Sequence, residues 1–274
     1  MTNSMAMICN ILGIDRISMD NKTILIEERH GTNANFLVNA ILSQALKKLD
    51  ATVCFVLCHN TFGHYHNIGM RLGYNLLDLK EKGQVTIVEP MKIIFNNIAD
   101  TCKDSINQMK TMIPDVTSMK HIDIAHQLFV HVKEKYDEAA KTNKSVVLII
   151  DDLSHLFDLG LDVRDTMYFI RYLRSFISTY PLSQLCILIH VHQKNLLTSN
   201  TDIVNVLKHA AHLYITTQSF KTGHSSDASG KLIVRWKTDS IRSKYHWAEK
   251  TTYLFKLLDW QVKICTPGAV SILS

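Results

Sequence analysis

The sequence predicts an α/β protein: a mainly parallel central sheet covered by helices and continued by a C-terminal antiparallel extension. Three observations predict it. Val146, Val147, Leu148, Ile149 and Ile150 run without polar alternation, as in a strand covered on both faces. That run ends abruptly in Asp151 and Asp152, and in open α/β sheets chemistry collects at the carboxyl ends of strands. Strand-like and helix-like stretches alternate as far as Ala210, after which strands follow one another. This order is that of a RecA-like core of the P-loop NTPase type.

Taken in order, Met1–Asp20 reads as a weakly amphipathic N-terminal arm or short helix, with Met7, Ile8, Ile11 and Leu12 as its apolar patch. Residues 21–274 are expected to form a single RecA-like domain, since four prolines and no Gly/Ser-rich stretch leave no linker. Lys22–Glu28 is a first strand, and Phe36–Leu49 a helix with apolar residues at helical spacing. Thr52–His59 is a second buried strand. Thr61–Leu72 is a helix with Gly73 as its C-cap. A short helix at Leu76–Lys82 precedes a third strand, Gln84–Val88, which Pro90 limits. Lys92–Met119 is polar, split by Pro114, and reads as a loop. Ile122–Ala140 is a helix before the central strand. Arg164–Ser178 is a helix, Leu185–Val191 a buried strand and Ile203–Ala210 a short helix. His212–Gln218, Lys231–Thr238 and Thr252–Ile264 are then expected as consecutive strands without helices between them, the first two joined by a hairpin loop at Thr222–Gly230.

Composition sets the outer bounds. A net charge of +5 before the fourteen histidines are counted permits an RNA partner without demanding one. Cys54, Cys58 and Cys186 lie in apolar runs, where a free thiol behaves as a small hydrophobe. Met1–Ser18 lacks a basic start and a small-residue cleavage site, and no apolar run approaches membrane-spanning length. The expectation is a reduced, intracellular, soluble protein with no membrane partner.

A hydrophobic strand ending in acids is the form of a Walker B strand, where the acid helps hold the magnesium of a bound nucleotide. The phosphate loop that should accompany it is degenerate. The segment after the first strand reads Glu27-Glu28-Arg29-His30-Gly31-Thr32-Asn33-Ala34-Asn35-Phe36, with one glycine and no Gly-Lys pair. The two glutamates would repel phosphate, and even one lost charge-assisted hydrogen bond is worth ~1.5–3 kcal/mol. Two accounts of Asp151 and Asp152 stand: they cap the strand end, or they are a vestigial Walker B pair. No catalytic residue, cofactor ligand or metal ligand is assigned.

Other constellations have plain accounts. Cys54, Cys58 and His59 with His64 and His66 suggest zinc, but both cysteines sit within a strand whereas zinc ligands favour turns. His190 and His192 end a strand, and the loop from His192 to Asn200 is either RNA-facing or ordinary surface. Lys231, Ile233, Arg235 and Lys237 alternate with Leu232, Val234 and Trp236. Such a basic face either contacts phosphates or protects a sheet edge with charge. Aromatics in Thr252–Ile264 either stack on bases or pack. Lys194, Lys221 and Lys231 are the RNA-facing candidates by loop position and charge.

The segments Val53–Gly73, Val146–Gly160 and Gly230–Trp236 together resemble the family of the sixth subunit of the Elongator complex. The most specific pieces are F-G-H-Y-H-N-I-G at Phe62–Gly69 and D-D-L-S-H-L-F-D-L-G at Asp151–Gly160. The similarity runs from about Thr23 to Pro267, and Met1–Asp20 and Lys92–Met119 match least. The resemblance implies a RecA-like fold without a working Walker A motif. It implies a heterohexameric ring with Elongator subunits four and five, two copies of each, docked on the catalytic lobes. Such a ring binds tRNA and supports modification of the wobble uridine, in the cytoplasm and additionally the nucleus. The family offers no catalytic residue to map here and no cofactor. Against this stands a free-standing nucleotide-dependent RecA-like ATPase with an atypical phosphate loop at Arg29–Asn35. A third reading is a scaffold that touches only protein, whose assembly would be insensitive to salt.

Overall fold

The computed structural model describes residues 2–48, 50–93, 121–142, 145–191, 200–220, 228–259 and 261–268. Among the described residues nine strands form one sheet in the order β3-β2-β4-β5-β1-β6-β7-β8-β9. They are β1 Lys22–Arg29, β2 Ala51–Leu57, β3 Val85–Val88, β4 Ser145–Asp151, β5 Ser183–Val191, β6 Leu213–Gln218, β7 Gly230–Trp236, β8 Lys250–Leu257 and β9 Val262–Cys265. β3, β2, β4, β5, β1 and β6 are mutually parallel. β7, β8 and β9 are antiparallel additions to β6.

Helices cover both faces, which is why the β4 run shows no polar alternation. Val147 and Ile149 pack into one core, with α1 (Thr2–Leu12), α2 (Asn35–Leu46), α3 (Phe62–Leu72) and α4 (Leu76–Glu81). Val146, Leu148 and Ile150 pack into the other, with α5 (His121–Thr142), α6 (Val163–Ile177) and α7 (Asn200–Ala210). Helix ends follow local chemistry. The Thr61 side chain accepts from the His64 N–H to start α3, and Gly73, at φ 91, ends it. Asn75 and Asp162 cap α4 and α6 in the same way.

Four expectations change. The first twenty residues do not stand apart as an arm. Met5, Ile8, Cys9 and Leu12 of α1 are buried with Ile14 and Met19, against α2 and β9. The Trp236 indole donates to the Leu12 carbonyl at 2.9 Å and ties this segment to β7. The strands after Ala210 are not uninterrupted: α8, Asp239–Tyr245, lies between β7 and β8. It buries no residue, so its sequence carries no apolar period to read. The expected strand Thr252–Ile264 is two strands, β8 and β9, closed by reciprocal Leu258 and Gln261 backbone bonds. β7 is also flanked on both sides, so its basic residues protect no sheet edge. Residues 94–119 of the loop expected at Lys92–Met119 and most of Thr222–Gly230 lie outside the described residues.

Gly13 shows how tightly the N-terminal turn is held. It sits at φ +75, and a Cβ there would come within 2.1 Å of the Trp247 ring. Gly13→Ala adds left-handed strain to that overlap. It is expected to cost roughly 3 kcal/mol, read as a lowered urea midpoint with unchanged slope.

Candidate functional site

The carboxyl ends of β1, β4 and β5 converge where a nucleotide would sit in this architecture. The strands alternate their side chains, so parity decides what each end residue meets. Ile24 and Ile26 face the α2 side and Leu25 the α7 side. Glu28 therefore points towards α2 and Glu27 towards α7.

Glu28 reaches across the turn after β1. Its Oε2 accepts the Ala34 backbone N–H at 2.6 Å, at the start of α2. The neighbouring Asn35 N–H goes to the Asn33 side chain at 2.9 Å. The turn is closed by Thr32, whose backbone N–H and hydroxyl both donate to the Arg29 carbonyl, and Gly31 takes φ +80. A helix start with unpaired N–H groups is an anion site. Here a carboxylate of the chain fills it. Among the described residues α2 has no side-chain bond from its own N-cap residue, Ala34; Glu28, from β1, instead accepts the backbone N–H of that residue.

The other oxygen of Glu28 contacts His190 Nδ1 at 2.9 Å. That contact holds the His190 pKa above its usual value. The His190 backbone N–H donates to Asp152 Oδ1 at 3.1 Å. A continuous path therefore runs from the α2 N-terminus through Glu28 and His190 to Asp152. Asp152, at φ 53, also accepts the Ser154 N–H and caps a short 3-10 turn at Leu153–Leu156. His155 lies 3.5 Å from Asp152 and 2.7 Å from Asp158, and stacks on His59.

Glu27 is neutralised on the opposite face. It is 3% exposed, pairs with Arg29 at 2.9 Å and Lys208 at 3.2 Å, and accepts from the Tyr214 hydroxyl. Arg29 is thereby turned away from the phosphate position; its remaining bond goes to Gln218. The sequence suggested two glutamates that would repel phosphate. The fold compensates both acids and commits the arginine.

Asp151 is fully buried. One oxygen accepts the Asn60 backbone N–H at 2.9 Å and the Asn60 amide at 3.2 Å. The other oxygen and the buried Tyr65 hydroxyl each lack a hydrogen bond among the described residues. The two groups are near enough for each to perturb the other's titration, but their geometry falls short of a bond. Burial, opposed by the Asn60 donors, leaves the Asp151 pKa raised. Asp151 and Asp152 both act as acceptors for backbone N–H groups. That fits the capping account of the pair.

The remaining candidates separate. Lys194 and Lys221 lie outside the described residues. Lys231 is half-buried on β7, its ammonium 5.7 Å from the Phe220 ring centre. Cys54 is buried in the core and its thiol is pushed up to about 12 by desolvation. Among the described residues no group of His, Cys, Asp and Glu is arranged to hold a metal, and no helix is long and apolar enough to cross a membrane. Sequence reasoning missed the Glu28–His190 link. Its two members are 162 positions apart, and their only local signal was that each ends an apolar strand.

The raised pKa values fix signs. His190 contributes stability that is complete below its unfolded value, about 6.5, and is lost as pH rises through the folded value. His190→Gln should therefore flatten the melting temperature between pH 6 and pH 8, measured by thermal scans. Asp151 likewise loses its contribution as pH rises through its raised folded value. Asp151→Asn keeps an acceptor for Asn60 and removes a buried charge, so it should be neutral or stabilising by about 1 kcal/mol at pH 7.5.

Comparison with known proteins places this geometry. Among solved structures the chain is similar to an uncharacterized protein from Pyrococcus horikoshii solved with an unknown peptide. The TM-score is 0.56 at 13% identity, covering 93% of this chain and 95% of that one. It is also similar to a KaiC-like protein from the same organism, at TM-score 0.54, 11% identity and 90% coverage of both chains. These likenesses show the fold, a RecA/KaiC-like core. Curated proteins called Elongator complex protein 6 match along nearly all of their length. The one from Rattus norvegicus is 26% identical over 94% of this chain and 96% of its own. The one from Homo sapiens is 27% identical over 93% of each. The family model described as Elongation complex protein 6 matches residues 6–259, and the chain belongs to that family.

Proposed function

We propose that this Elongator subunit is a non-catalytic member of a heterohexameric RecA-like ring. It pairs there with subunits four and five, two copies of each, and the ring docks on the catalytic lobes. The ring binds tRNA and supports wobble-uridine modification, in the cytoplasm and additionally in the nucleus. Family membership supports the complex. The observation that carries the non-catalytic part is the Glu28 carboxylate on the Ala34 N–H. A phosphate arriving there would have to displace an internal anion, and would meet neither a second glycine nor a P-loop lysine. The alternative, a free-standing ATPase, needs that turn open and Arg29 available; Arg29 is bound to Glu27 and Gln218.

A ring position also suits the surface. Met70, Met91 and Tyr172 are each more than half exposed, and a stable interface covers ~800 Å² per partner.

The deciding experiment is co-expression with the two other RecA-like Elongator subunits, followed by light scattering. A hexamer-sized particle containing this chain is expected, and the chain alone should aggregate at micromolar concentration. A stable lone monomer that assembles with neither partner would overturn the ring. Asp152→Asn should leave assembly and tRNA affinity unchanged within about twofold, because Asn tolerates the left-handed backbone and keeps an acceptor for Ser154. In a nucleotide-dependent enzyme the same change would abolish turnover.

A further inference from the structure

The amino-terminal edge of the sheet, opposite the Glu28 site, holds a cavity of about 480 Å³. Lys22 and Thr23 at the start of β1 line it, with Arg171, Arg174 and Ser175 of α6 and His212 just before β6. Among the described residues no carboxylate lines it. Its rim is rigid. The Asn21 backbone N–H donates to the Ser183 carbonyl at 2.6 Å, and its amide donates to the Pro181 carbonyl at 2.7 Å. Ser178 and Ser183 spend their hydroxyls on nearby carbonyls.

The cations are less committed. The side chains of Arg171 and Arg174 make no ion pair or hydrogen bond among the described residues. Lys22 reaches one carbonyl, that of Asp20, at 3.2 Å, and keeps two further N–H donors. His212 Nδ1 accepts the Thr23 N–H at 3.0 Å, so its ring proton lies on Nε2, another donor. Burial, then Lys22 and Arg174, hold the His212 pKa down. Arg174 has an ordinary explanation in the last turn of α6, where the helix dipole favours a cation. Arg171, one turn earlier on the same side, has none. Like charges at this spacing repel. Carbonyl ends of α6 and α7 do not supply a counter-ion, so the cluster lacks an anion.

We propose that this cavity binds phosphate groups. Paired guanidiniums supply planar, bidentate recognition of phosphate oxygens, and the volume falls within the range of about 300–1,000 Å³ usual for small-ligand pockets. The phosphate comes from a small phosphorylated ligand or from an RNA strand; the chemistry of recognition is shared. The site is remote from the Glu28 turn and its residues all belong to this chain; only its test rests on the assembly proposed above, whose failure shows separately as particle mass.

The test is isothermal titration of pyrophosphate into the purified full-length chain in its assembly. Wild type is compared with the Arg171→Gln/Arg174→Gln double variant and with Arg164→Gln, an exposed cation on α6 outside the cavity. Both cavity arginines are exposed, so the double variant should keep its fold, checked by its melting temperature. The variant comparison also separates this cavity from phosphate sites on partner chains. Expected is saturable binding weakened about tenfold or more by the double substitution and changed less than about twofold by Arg164→Gln. Competition by ADP identifies a small ligand as the source, and competition by 5′-phosphorylated but not 5′-hydroxyl RNA identifies a strand. No saturable binding up to roughly 1 mM, an unchanged double variant, or equal weakening by Arg164→Gln would overturn the proposal.

Discussion

A parallel strand that hands its chain to a helix leaves N–H groups pointing out of the sheet with no acceptor of their own. In a nucleotide-binding protein of this architecture phosphate supplies the acceptor. In this chain Glu28 does so, and much of the carboxyl edge follows from that substitution. Once a carboxylate occupies the helix start, its second oxygen needs a donor, and His190 provides one. His190 in turn is anchored through its backbone to Asp152. Asp152 turns the chain after β4 and starts the 3-10 turn. The edge is therefore closed by the protein's own acids.

Adjacent glutamates would ordinarily destabilise each other. Here strand parity sends them to opposite faces. Glu27 meets Lys208, Arg29 and Tyr214 below one helix layer; Glu28 meets a helix terminus and an imidazole above the other. The sheet itself separates the two charges. What reads in one dimension as a repulsive pair is in three dimensions two compensated sites.

The fold was legible wherever burial imposed a period. The uninterrupted Val146–Ile150 run and the Gly73 stop match the structure, and the helix read at Phe36–Leu49 is present but ends at Leu46. Elements that bury little left no such trace. α8 has no buried residue. The break between β8 and β9 rests on a turn closed by Leu258 and Gln261, both exposed. The first twenty residues looked detached, although more than half of them are apolar, because their partners, Trp236 and Trp247, lie more than two hundred positions away. The degenerate phosphate loop was visible as missing glycine and lysine. Its replacement was not, since a side-chain acceptor reaching back onto a helix start carries no spacing rule across strands. The basic cavity was invisible for the same reason: its arginines, lysine and histidine come from three separate segments.

The strand order also says something about how the protein is made. β1 emerges first from the ribosome but lies between β5 and β6. Its Ile24 pairs with Cys186 on one side and Leu213 on the other. Until translation has passed residue 191, the most central apolar strand has no neighbour on either edge, and its second edge stays open until residue 218. β2, β3 and β4 can associate earlier, as a three-stranded fragment with one unsealed side. Such long-range closure is slow, and its intermediates expose strand edges. The nascent chain must therefore be shielded through most of its synthesis, and a stop codon anywhere before β6 would release a polypeptide with an open sheet rather than a shortened domain.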